Sequence, residues 1–103
     1  MTNGNGFKTT RQKVLKALAE GTYQHAERRA IDVKNCLQLG SISAEEVAAL
    51  IRRCNGTHHS CSPHHFAPQV MVHVLKRDDW YIKFFFVDPH TIFISVHKQE
   101  TQS

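Results

Sequence analysis

Cysteine is scarce in this chain of 103 residues, and its number is odd: Cys36, Cys54 and Cys61. Such a set suits reduced thiols or ligands rather than a disulfide framework. No apolar run approaches the roughly 18 residues of a membrane-crossing helix. The opening MTNGNGFKTTRQK also lacks the apolar centre of a signal peptide, so a cytoplasmic protein that meets no membrane is expected. The five glycines stand at positions 4, 6, 21, 40 and 56, never as a glycine-rich loop between strand and helix. That excludes the phosphate loop and the dinucleotide fingerprint. Carboxylates are missing from the apolar segments, because Asp78, Asp79 and Asp88 fall at turns or strand ends, and the acid pair of a glycosidase is therefore not supported.

What the chain does hold is enough for one domain over residues 1–103: 41% apolar residues, eight valines and nine aromatic rings. Residues 1–8 and 99–103 are polar and expected to fray. Thirteen Lys and Arg against nine Asp and Glu leave a charge of +4, to which eight histidines can add. The natural partner of such a surface is a polyanion or an acidic protein.

Helical spacing of Val14, Leu15 and Leu18 predicts a first helix from Thr9 or Thr10 to Glu20, stopped by Gly21. Ala26, Ala30, Val33 and Leu37 predict a second over residues 26–39, stopped by Gly40. Ser43 and Glu46 form a capping box that opens a third, whose buried stripe is Val47, Leu50, Ile51 and Cys54. Residues 55–68, NGTHHSCSPHHFAP, follow neither period and read as a loop. Three strands are expected over 69–76, 80–88 and 91–98, and their short connections make them an antiparallel meander. The fold class is thus α+β, three N-terminal helices packed on a C-terminal antiparallel three-stranded sheet.

Alternation sorts the strands into two faces. Val70, Val72, Val74, Ile82, Phe84, Phe86, Ile92, Ile94 and Val96 form the expected core face. Gln69, Met71, His73, Tyr81, Lys83, Phe85, Phe93, Ser95 and His97 form a half-polar one. The latter reads either as a solvated outer face or as a surface that pairs phosphate and stacks bases. Lys76, Arg77 and Lys98 add charge at its margins.

The densest cluster is Cys54-x3-His58-His59-x-Cys61-x2-His64-His65. Thiolate and imidazole are zinc ligands, so Cys54, His59, Cys61 and His64 make a candidate tetrahedral set, although the spacing matches no established zinc pattern. Without metal the same imidazoles could act as acid, base or phosphate ligands, or simply cap turns and face water.

Taken in order, the basic first helix ending at Gly21, Leu39-Gly40, His65-Phe66-Ala67-Pro68-Gln69, Trp80-Tyr81-Ile82-Lys83 and Ile92-Phe93-Ile94-Ser95-Val96-His97-Lys98 resemble the MqsR family of mRNA interferase toxins. The resemblance implies a RelE-like fold, cleavage of mRNA without a cofactor or metal, and a cognate antitoxin protein as partner. It puts the family's functional Gln on Gln69 and its functional Tyr on Tyr81. The family's Lys has no counterpart here, and its position falls near Thr57 and His58. The expected catalytic set is Gln69, Tyr81, Lys83, His97 and His58, with His73, Lys76, Arg77, Ser95 and Lys98 holding RNA. The alternative is a non-catalytic, zinc-stabilised module that binds nucleic acid or protein.

Overall fold

Apolar residues at helical spacing bury one side of the first helix, α1, which spans Phe7–Glu20 and buries Thr10, Val14, Ala17 and Leu18. The structure, a computed structural model, describes residues 6–26 and 35–98. The helix starts earlier than expected: Gly6 is its N-cap, while Thr10 is buried inside it and donates its amide to the Gly6 carbonyl at 3.0 Å. Gly21 closes it at φ 78°, in the left-handed region that glycine enters at little cost, and its N–H reaches Ala17 O at 2.8 Å.

The expected second helix is corrected. The residues just before it, Tyr23–His25, form β1, which pairs in parallel with the last strand, and Ala26, its expected first residue, extends that ladder through its N–H to Phe93 O at 2.9 Å. Residues 27–34 lie outside the described residues. Among the described residues of that span only Cys36–Leu39 is helical (α2), capped by the Asn35 side chain, which accepts from Gln38 N, and ended by Gly40 at φ 83°. The third helix, α3, spans Ala44–Arg52. It carries the anticipated capping box: Glu46 N donates to Ser43 Oγ at 3.1 Å and Ser43 N to Glu46 Oε1 at 2.9 Å.

The segment expected as a loop holds two further elements. Gly56–His58 is a 3-10 turn capped by Asn55, and His59–Pro63 is β2, an edge strand antiparallel to β3, Met71–Arg77. Histidine, serine and proline have weak strand preference, so pairing with β3 rather than local propensity makes this strand. β4, Trp80–Val87, and β5, His90–Lys98, complete a five-stranded mixed sheet of order β1-β5-β4-β3-β2. The three-stranded antiparallel meander under three helices is thereby overturned, and the RelE-like arrangement with it; the α+β class stands.

Helices α1, α2 and α3 bury their apolar residues against one side of the sheet, in a core of Val14, Leu18, Leu37, Val47, Ile51, Leu75, Ile82, Phe84, Phe93 and Val96. The expected faces hold along β4 but not along β3. Asp78 and Asp79, at φ 54° and 68°, make a two-residue turn that sets Arg77 opposite Trp80, Leu75 opposite Ile82 and His73 opposite Phe84. Directly opposed residues point to one side, so His73 and Leu75 enter the core while Val72 and Val74 face away, Val72 being buried there as expected. A bulge between Lys83 and Phe84 shifts β5 by one residue. Phe93 rather than Ile94 therefore opposes Phe84, and Phe93 is fully buried.

Candidate functional site

The side of the sheet away from the helices presents three cross-strand rows. Lys76, Tyr81 and His97 are opposed in the first; Val74, Lys83 and Ser95 in the second; Val72, Phe85 and Ile92 in the third. Ser60 and Ser62 of β2 flank the last two. Among the described residues this face carries two lysines and no carboxylate.

In the first row the Tyr81 and His97 rings stack at 5.2 Å and 17°, and the Lys76 ammonium lies 5.6 Å from the Tyr81 ring centre. His97 Nδ1 is 3.0 Å from Lys98 O. A carbonyl oxygen only accepts, so Nδ1 carries a proton, and Nε2 is the nitrogen left to exchange one. That is the arrangement of a general base held by its other nitrogen. Lys83 stands one row on, beside Ser95, which is buried.

The third row leads to an aromatic ledge that sequence reasoning missed. Phe66 is 91% exposed. Its amide donates to His64 Nδ1 at 3.0 Å, and the His64 ring meets Phe85 edge-on at 5.2 Å. The signal was present in a phenylalanine with no other large apolar residue beside it, set between His65 and Ala67.

Tyr81, Lys83, His97, Lys76 and Ser95 are thus brought together, and the other expected site residues are not. Gln69 is exposed in the turn of residues 67–70, before the start of β3 and at the far end of that strand from Lys76. His73 is 3% exposed on the core side, where it shares a 3.0 Å hydrogen bond with His59 and stacks on Phe84. Burial first, then the nearby His59 and Lys13, push its pKa down to about 4, so it offers no charge to an anion at neutral pH. Burial lowers His59 as well, under the Phe7 ring. His58 and Arg77 contact each other beside the core side, and Lys98 opposes Trp80 there.

The zinc quartet is also divided. Cys54 is buried under α3 with its thiol donating to Leu50 O at 3.5 Å, and burial raises its pKa. Cys61 is exposed on β2, His59 is with His73 and His64 is on the opposite side. Among the described residues no group of three or more His, Cys, Asp or Glu is placed to hold a metal. Nor is any described helix long and apolar enough to cross a membrane.

No protein-family model, curated protein or solved structure matches this chain.

Proposed function

We propose that this protein is an endoribonuclease that takes single-stranded RNA across the open sheet face and cleaves it without metal. The observation that carries this reading is the His97 ring, held through Nδ1 and stacked on Tyr81, with Lys76 across the same row, Lys83 in the next, and no carboxylate on that face among the described residues. His97 Nε2 takes the proton of a ribose 2′-hydroxyl, and the oxygen attacks the adjacent phosphorus. Lys83 balances the charge that grows on the phosphate oxygens. Tyr81 gives its proton to the departing 5′-oxygen, leaving a cyclic 2′,3′-phosphate and a 5′-hydroxyl. The bases stack along Phe85, His64 and Phe66, which suits an unpaired strand. The likeness to interferase toxins extends this to a cytoplasmic mRNA substrate and a cognate antitoxin that blocks the face.

Cleavage should survive EDTA and yield 5′-hydroxyl ends. Tyr81→Phe and His97→Ala should each slow it by about 10²- to 10⁴-fold with RNA still bound. Loss of activity on chelation, or full activity in both variants, would contradict the mechanism. The distance of Gln69 from the Tyr81 row favours a second reading, in which the same face binds RNA without cutting it. Wild-type protein that binds the strand and leaves it intact supports that reading.

A further inference from the structure

His58 and Arg77 meet in a way that neither residue satisfies. The backbone N–H of Asn55 donates to His58 Nδ1 at 2.8 Å, so that nitrogen is bare and the ring proton sits on Nε2. Nε2 faces Arg77 Nη1 at 3.2 Å. Arginine has no acceptor, so two N–H donors point at each other with no oxygen between them. Arg77 Nε is buried without a hydrogen-bond partner among the described residues, because the nearest carboxylate oxygen, Asp78 Oδ2, stands 3.8 Å away. That same oxygen is held at 2.8 Å by Arg53. Arg11 lies close by, its guanidinium donating to Cys54 O at 3.4 Å. Arg53 and Arg77 therefore share the Asp78 carboxylate, with Arg11 bound to the Cys54 carbonyl beside the turn that follows α3.

We propose that His58 and Arg77 form the seat of one phosphate group, an oxygen of which accepts from both Nε2–H and the guanidinium. Two donors in contact are unfavourable alone and become favourable once a shared anionic acceptor lies between them. A second phosphate oxygen can take an Nη2–H of Arg77, since Nη1 and Nη2 form a planar fork that suits bidentate contact. The arginine excess supplies the field that draws the anion in. Arg77 lies one row beyond Lys76, Tyr81 and His97, on the other side of the sheet. A strand leaving that row over the end of the sheet would bring a backbone phosphate there, which rests on the RNA reading; a free mononucleotide would bring the same group without it.

The test is an NMR titration of the full chain with inorganic phosphate, following the imidazole nitrogens of His58 and the Nε–H of Arg77. Both should shift and saturate together, and the thermal midpoint should rise. Arg77→Gln and His58→Ala should each weaken phosphate binding by about tenfold or more, whereas Tyr81→Phe should leave it unchanged. His58 is on an exposed turn, so its variant keeps the test alive if Arg77→Gln does not fold. Displacement of phosphate by a single-stranded oligoribonucleotide identifies the backbone as the source, and displacement only by a mononucleotide identifies a small ligand. If these signals do not respond, or respond equally to chloride at matched ionic strength, the seat does not exist. Because Tyr81→Phe slows cleavage but spares the seat, failure here is separable from failure of the nuclease reading.

Discussion

His73 shows how one residue ties the fold to pH. In the unfolded chain its imidazole titrates near 6.5, and in the core it resists protonation down to about 4. Between those values the unfolded state binds a proton that the folded state refuses, so stability falls as pH drops. The loss for this residue alone should reach about 3 kcal/mol on going from pH 7 to pH 4, and His59, lowered in the same direction, adds to it. Urea midpoints measured across that range should decline steadily in the wild type and much less in His73→Phe; a flat wild-type profile would mean that the pair is solvated. The same side chain shows why the site was only partly legible. Tyr81, Lys83, Ser95 and His97 could be placed on one face because alternation along β4 and the last half of β5 is uninterrupted. His73 could not, because carrying the same parity back from residue 69 ignored the turn that decides it.

At the level of elements, that turn is the most informative feature. Arg77-Asp78-Asp79-Trp80 is a two-residue hairpin connection with both aspartates in the left-handed region. It forces odd residues of β3 opposite even residues of β4. An acidic pair between strand-forming runs is a hairpin signal, so this part of the register was available in the sequence. Asp79→Gly should stabilise the protein by about 0.5–1 kcal/mol by relieving the left-handed strain. Asp78 is best left intact, since it pairs with Arg53. A thermal midpoint that falls in Asp79→Gly would show that the aspartate side chain does more than fill the turn. The capping box at Ser43 and the glycine stops at 21 and 40 were equally readable, because each rests on contacts within a few residues. β1 and β2 were not. Three residues of Tyr23–His25 and the Ser, His and Pro of β2 carry no strand pattern, and only their partners β5 and β3 define them. The bulge at Lys83/Phe84 likewise depends on how β5 seats Phe93 in the core.

For the whole molecule, the consequence among the described residues is an asymmetric sheet with helices on one side and two lysines beside Tyr81, Phe85 and His97 on the other. If that surface takes RNA, affinity should fall as salt rises, with a log–log slope of about −0.7 for each phosphate neutralised. Lys83→Ala should make the slope shallower by about that amount. An affinity indifferent to salt would contradict electrostatic capture. The most direct measurement is the aromatic-ring NMR spectrum during titration with a single-stranded oligoribonucleotide. Rings on the open face, Tyr81, Phe85, His97 and Phe66, should shift with the bound fraction, while Phe84 and Phe93, buried on the helix side, stay in place. Shifts confined to the helix side, or no shift of Tyr81 and His97 at saturating RNA, would contradict the claim that this face is the functional one.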